Sequence, residues 1–251
     1  MKLLIATALV AFGWSATAQT SETRQVKPFT KIEAKNGIQV IFTQEDAPSL
    51  KVESDSEEFL STIVTEFSGS TLKVYLDEGG SENNGTAKVY VSQKLVNSFA
   101  ATTGAMIKVT NTVKADRLDI SLCSGASFTG VIHSTEKCKV KAATGASFRS
   151  NLTAGAFEVS ANSGATIKLA GQTDTAEVRC TGGILQAGKL TSRRASIVAF
   201  GAASVHITAS EYISAEADNS SSITYYGEPG EVVLSPNTYA VKRDNYKFAL
   251  N

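Results

Sequence analysis

The sequence has no excess of charge of either sign, few cysteines and histidines, and no long apolar run after its first residues. Its 251 residues carry 24 Lys and Arg against 24 Asp and Glu, so the formal net charge is zero. A nucleic-acid-binding protein is expected to carry a basic face, and this balance therefore argues against nucleic acid as a partner. No stretch after residue 18 approaches the ~20 apolar residues that a membrane-spanning helix needs, so we expect no integral membrane segment.

The residues that would build a metal site or a catalytic centre are also scarce. The chain has three cysteines without a Cys-x-x-Cys pair, and its two histidines, His133 and His206, lie far apart. We therefore predict no metal and no cofactor. No glycine-rich phosphate loop, Gly-x-Ser-x-Gly motif or His-Glu-x-x-His motif occurs either, and these are the short motifs that most directly indicate nucleotide, esterase or zinc-protease chemistry.

What the sequence does contain is one short phrase that recurs seven times between residues 102 and 227. Its versions read TTGAMIKV, CSGASFTG, ATGASFRS, NSGATIKL, CTGGILQA, FGAASVHI and NSSSITYY. Measured between their glycine positions, successive phrases are 18–21 residues apart. A period of this length with short apolar segments is typical of a solenoid, in which each repeat is buried by its neighbours.

Aligned on the glycine position, the phrases place an apolar column beside a polar one. The apolar column is Ile107, Phe128, Phe148, Ile167, Leu185, Val205 and Ile223, and the polar column that follows is Lys108, Thr129, Arg149, Lys168, Gln186, His206 and Thr224. The change from an apolar to a polar residue at neighbouring positions indicates strands with one buried and one exposed face. The abundance of β-branched residues, Ser and Gly disfavours helix. We predict an all-β fold, a parallel β-helix or β-solenoid with coils of about 18–21 residues.

The rest of the chain divides around this regular array. Residues 1–18 have the pattern of a secretory signal peptide with cleavage before Gln19, which predicts export. Residues 19–101 are predicted to form an irregular N-terminal β region of early coils or a cap, and residues 102–227 the regular β-solenoid. Residues 228–251 are predicted to cap its C-terminal end, since an array must cover its terminal apolar coils.

An exported chain invites disulfides, but the repeat alignment argues against them. Cys138 and Cys180 fall two coils apart, roughly 9–10 Å along the stack, which exceeds the ~7 Å that a disulfide spans between Cα atoms. Cys123 belongs to a different column. We therefore predict that Cys138 and Cys180 are buried thiols.

The order of several segments resembles the head GIN domain family of putative auto-transporter adhesins. The resemblance rests on PFTKIEAKNGIQVIF, SGSTLKVYL, AKVYVSQKLVNSFAATTGAMIKV, the serial SGAS phrases and the closing SITYYGEPGEV, and it covers roughly residues 26–242. It implies a right-handed β-helix and export in a Gram-negative bacterium, to the periplasm or the cell surface. It supplies no catalytic residues, and the chain shows no C-terminal β-barrel pattern.

Two groups of residues are candidates for ligand binding. The polar column forms a basic stripe through Lys108, Arg149, Lys168 and His206, which could contact an acidic glycan or a phosphate-bearing surface. The same charges could instead keep the face solvated and prevent aggregation. Near the C-terminus, Tyr225 and Tyr226 could stack on sugar rings, or could pack over the last coil.

An enzyme on the same fold would need clustered acidic or basic residues. Asp116 and Glu136 occupy equivalent positions on successive coils, where two carboxylates could act as an acid and base pair. The alternative is an ordinary polar turn, because basic residues flank both positions. The leading hypothesis is an exported, non-enzymatic adhesin that binds a glycan or an envelope or host surface protein. A carbohydrate-active enzyme and a structural envelope spacer are the alternatives.

Overall fold

The computed structural model describes residues 20–77, 85–235 and 238–244, so the predicted signal peptide at 1–18 lies outside the described residues. The described residues before position 102 form eight strands and one short helix. They are β1 (Thr20–Thr23), β2 (Lys31–Ala34), β3 (Gln39–Gln44), β4 (Ser49–Ser54), α1 (Glu57–Thr62), β5 (Ile63–Ser68), β6 (Thr71–Leu76), β7 (Ala87–Gln93) and β8 (Ser98–Ala101). No helix in the described ranges is long and apolar enough to cross a membrane.

Longer strands follow, each running through a corner of the coil. They are β9 (Met106–Leu122), β10 (Ser127–Ala142), β11 (Ser147–Asn162), β12 (Thr166–Thr181), β13 (Ile184–Phe200) and β14 (Ser204–Ala217). The described chain closes with β15 (Ser222–Tyr226), β16 (Glu231–Leu234), a 3-10 turn (Thr238–Ala240) and β17 (Val241–Arg243). The result is a parallel β-solenoid of about eight turns.

The parallel pairing follows the predicted columns residue by residue. Phe128 lies between Ile107 and Phe148, and the same register continues through Ile167, Leu185, Val205 and Ile223. All seven side chains are at most 1% exposed. The polar column pairs in the same register from Lys108 to Thr224 on the outer surface. The predicted all-β solenoid fold is thus confirmed.

Several of the corners between successive strands are two-residue bends in which both residues have a left-handed backbone. In three successive coils the bends are Thr103-Gly104, Ser124-Gly125 and Thr144-Gly145, with φ between 52° and 73°. This is the geometry of a type I′ turn, which glycine tolerates best in its second position. The glycine N–H of each bend donates to a carbonyl of the next coil, as from Gly104 to Ser124 at 2.9 Å. The bends therefore stack with the strands.

The N-terminal coils do not stack in chain order. The coil formed by β2 and β3 lies between the coil of β6 and β7 and the coil of β8 and β9. β4 and β5 then pair antiparallel with β7 and β6. This pairing occupies the outer edge of the array, which would otherwise be open to another chain. The region thus combines parallel coils with antiparallel edge strands.

At the other end, parallel pairing continues past residue 227. β16 pairs with β14, and β17 pairs with β15. Within the segment predicted to form a C-terminal cap, β16 and β17 therefore continue the stack, and residues 236–237 and 245–251 lie outside the described residues. The division of the chain at residues 101 and 227 stays a prediction.

The three cysteines carry free thiols. Cys138 and Cys180 are 0% and 1% exposed, as predicted, and Cys123 is partly exposed. Burial raises the pKa of Cys138 to about 12 and also raises the pKa of Cys180. Hydrogen bonds with Ser124 and then Thr144 lower the pKa of Cys123.

We expect iodoacetamide to alkylate the native protein at Cys123 alone, because the thiolate is the reactive form and access is required. Cys138 and Cys180 should react at least about a hundredfold more slowly until the protein unfolds. Mass spectrometry of native and urea-unfolded samples measures this difference. Rapid native modification of Cys138 would contradict its position inside the stack.

Candidate functional site

A groove lies on the outer surface of the solenoid, beside the part of the polar column that β11, β12 and β13 contribute. Its volume is about 510 Å³, which lies within the ~300–1,000 Å³ typical of small-molecule sites. Its lining residues come from five successive strands: Arg149, Ser150, Asn151, Lys168, Leu169, Ala170, Gln186, Gly188, Lys189, His206 and Tyr226. We call it the basic groove.

The basic groove lies beside a bulge in β13. Pairing between β12 and β13 passes from Lys168 and Gln186 to Ala170 and Lys189, so β13 has one more residue at this point. On its other side, pairing with β14 stops at Ala187 and resumes at Thr191. A bulge leaves residues without ladder partners and bends the strand. The Thr208 hydroxyl holds the bulge by donating to the Gly188 carbonyl at 2.7 Å.

The charge of the basic groove is entirely positive. Its lining includes Arg149, Lys168 and Lys189 and no carboxylate. Within the part of the chain that the structure describes, none of these three cations forms an ion pair, whereas Lys137 and Lys139 both form ion pairs with Glu158, at 2.6 and 2.5 Å. Concentrated charge of one sign in a concave surface focuses the electrostatic potential. The groove therefore attracts anions although the whole chain is neutral.

His206 and Tyr226 close one end of the basic groove. The His206 Nδ1 and the Tyr226 hydroxyl are 3.0 Å apart, and the two rings stack with centroids 6.2 Å apart. Burial, and then the Asp244 carboxylate, raises the pKa of Tyr226, so its hydroxyl keeps its proton at neutral pH. The hydrogen bond and the ring stacking with Tyr226 fix the position of the His206 imidazole at the groove surface.

The structure brings together four of the six candidate residues predicted from the sequence. Arg149, Lys168, His206 and Tyr226 line the basic groove. Lys108 is exposed in the same column, two coils before Arg149, and lies outside the groove.

Tyr225 behaves differently from its neighbour. Both side chains are largely buried, Tyr225 at 7% and Tyr226 at 8% exposure, but of the two only Tyr225 belongs to the hydrophobic core. Since alternate residues of a strand point to opposite faces, Tyr225 is turned away from the groove that Tyr226 lines. It is not available to stack on a sugar ring.

Sequence reasoning missed Lys189, the third cation of the groove. It pairs with Ala170 of β12 directly after the β13 bulge and has no ladder partner on β14, so the bulge shifts it by one residue relative to the repeat alignment. The available signal was the length of this coil, because 20 residues separate Gly182 from Ala202 after an interval of 18 from Gly164.

The two candidate catalytic carboxylates are each held by a neighbour at a corner of the coil. The Thr135 hydroxyl donates to Asp116 at 2.7 Å, and the Arg117 guanidinium donates to Glu136 at 2.6 Å. These contacts match the interpretation of this region as a polar turn. Among the described residues, no group of three or more His, Cys, Asp or Glu side chains is placed to hold a metal ion.

Comparison with known proteins identifies a family. The family model described as putative auto-transporter adhesin, head GIN domain, matches residues 28–229. A search of curated protein sequences finds no relative.

Several solved structures have the same fold. A putative lipid binding protein from Parabacteroides distasonis is 19% identical, with a TM-score of 0.80 over 92% of this chain and 98% of that chain. A putative adhesin from Parabacteroides merdae is 18% identical, with a TM-score of 0.81 over the same shares of the two chains. A putative adhesin from Bacteroides fragilis is 20% identical, with a TM-score of 0.62 over 91% of this chain and 94% of that chain. At these identities the likeness shows the fold alone.

Proposed function

The chain belongs to the family of putative auto-transporter adhesins with a head GIN domain, and we propose that it is an exported, non-enzymatic binding protein whose basic groove holds an anionic glycan. The observation that carries this proposal is the groove lining, which contains three cations and no carboxylate. The glycan would belong to a cell envelope or a host surface. Carboxylates and phosphates are the anionic groups that such a site would select.

The cations of the groove have complementary roles in this proposal. The planar guanidinium of Arg149 suits two parallel hydrogen bonds to a carboxylate or phosphate, and the ammonium groups of Lys168 and Lys189 act as mobile point charges. Ala170, which is partly exposed, supplies an apolar surface beside them, against which the C–H face of a sugar ring can pack. Because the charges are exposed, binding should weaken as salt is added.

An acidic lipid headgroup is a second candidate for the same groove. The partly exposed apolar surface of Ala170 beside three cations supports it, since this combination suits an amphiphile with an anionic end. One structure of the same fold is described as a putative lipid binding protein, and that description applies to the neighbour.

A glycan array probed with the chain lacking residues 1–18 tests the proposal. We expect binding to glycans that carry carboxylate or phosphate groups and weaker binding to neutral glycans. The substitutions Lys168→Glu and Lys189→Glu should each weaken binding about tenfold or more, because each removes a charge-assisted contact and adds repulsion.

The matched control is Lys108→Glu, which makes the same charge change in the same exposed column outside the groove. It should change the affinity by less than about twofold at 0.15 M salt, where the screening length is ~8 Å. Anionic vesicles measured in parallel distinguish a lipid headgroup from a glycan. Binding that tolerates both groove substitutions, or that falls equally with Lys108→Glu, would refute the assignment of the basic groove.

A further inference from the structure

A second groove lies next to the first on the same strands. Its volume is about 700 Å³ and its lining runs from β10 to β13. Its walls are hydroxyl, amide and imidazole side chains at equivalent positions of four successive coils, His133, Thr153, Gln172 and Thr191. We call it the polar groove.

The floor of the polar groove is backbone rather than side chain. Gly155 and Gly171 both line it. A Cβ at Gly155 would be 2.8 Å from the Thr135 carbonyl oxygen, and a Cβ at Gly171 would clash with the Leu152 carbonyl oxygen. Only glycine fits at such close approaches of stacked backbones. The two glycines therefore let the stacked backbones approach each other closely beneath the groove.

The charges of the polar groove cancel within it. Arg193 is 3.9 Å from Asp174 and donates to Glu211 at 2.8 Å, so its charge is already compensated. The Thr153, Gln172 and Thr191 side chains carry no charge and can both donate and accept hydrogen bonds. This groove therefore offers no net attraction to an ion, and its chemistry suits a ligand that is rich in uncharged hydroxyl groups.

The two grooves are close enough for one extended ligand to occupy both. On β11, Asn151 lines the basic groove and Thr153 lines the polar groove. On β13, Lys189 lines the basic groove and Thr191 lines the polar groove. Two residues along a strand span roughly 7 Å. The direction from one groove to the other follows the strands, across the same three coils.

We propose that the polar groove is a subsite for uncharged sugar residues that neighbour the anionic residue of the same glycan. This inference rests on the proposed function of the basic groove and adds the class of the adjoining sugar. Donors and acceptors on Gln172, Thr153 and Thr191 hydrogen-bond the sugar hydroxyls.

Isothermal titration with three defined probes tests this subsite. The probes are galacturonic acid, a trisaccharide of one galacturonic acid and two galactose residues, and a neutral galactose trisaccharide. The mixed trisaccharide should bind about tenfold more tightly than galacturonic acid, because it adds hydrogen bonds in the polar groove. Gln172→Ala should remove most of this gain and leave the affinity for galacturonic acid unchanged. Ser196→Ala, exposed on β13 outside both grooves, is the control.

Each outcome separates the subsite from the basic groove. Equal affinity for galacturonic acid and the mixed trisaccharide, or a gain that survives Gln172→Ala, would overturn the subsite and leave the proposed function standing. Binding of the neutral trisaccharide alone, lost with Gln172→Ala, would support the polar groove as a sugar site and overturn the anionic site. Failure of all three probes to bind would overturn both.

Discussion

Replacing Phe128 with alanine should lower the free energy of unfolding by about 3–5 kcal/mol, the range found when a buried Phe is truncated. The Phe128 ring is 1% exposed. Its centroid lies 5.5 Å from that of Phe99 and 5.3 Å from that of Phe148, with which it stacks. The substitution opens a cavity between coils that are buried only by one another, and it also removes two ring contacts.

Urea unfolding followed by circular dichroism measures this effect. The control is Thr129→Ala, which changes the next residue on the exposed face of the same strand and should alter stability by less than about 0.5 kcal/mol. A one-residue error in register would exchange these two faces. Equal losses for both variants, or a larger loss for Thr129→Ala, would contradict the stacked columns.

The second large effect is expected from Gly171→Ala. Gly171 has φ of 118°, a conformation that other residues rarely adopt, and a Cβ there would clash with the Leu152 carbonyl oxygen of the coil beside it. Backbone strain and displacement of the neighbouring coil together should cost about 3–5 kcal/mol. Since Gly171 lies in the floor of the polar groove beside the basic groove, ligand binding should weaken as well.

The matched control for this variant is Gly145→Ala. Gly145 also has a positive φ, of 71°, but a Cβ at this bend would meet nothing within 4 Å. Gly145→Ala should lower the free energy of unfolding by only about 1 kcal/mol, the cost of placing alanine in the left-handed region. Thermal unfolding of the two variants measures the difference. A similar small loss for both would show that the backbones do not approach closely at Gly171.

The regular part of the fold could be predicted because its rule is local. Alternation within each phrase decides which residue points inward, and repetition at a nearly constant period decides which coil it stacks on. Leu185 pairs with Ile167 as predicted, although the Gly182 bend is one residue shorter than its neighbours. The same alternation separates inward Tyr225 from Tyr226, which lines the groove, and treating the two tyrosines as a single surface group overlooked it.

The order of the N-terminal coils could not be predicted in the same way. Placing β2 between β6 and β8 depends on pairing between segments far apart in the chain, and no local pattern specifies such partners. For a related reason, only some residues of the basic groove could be predicted from the sequence. Arg149, Lys168 and His206 follow the column rule, whereas Lys189 enters through a bulge that interrupts the pairing.

The most direct test of the basic groove is an NMR titration of the ¹⁵N-labelled chain with galacturonic acid. We predict that the shifted amide signals cluster at residues 149–151, 168–170 and 186–189, and that the shifts are lost with Lys168→Glu and retained with Lys108→Glu. Shifts clustered on the strands before the bends, such as residues 119–121, or at either end of the solenoid, would contradict the account.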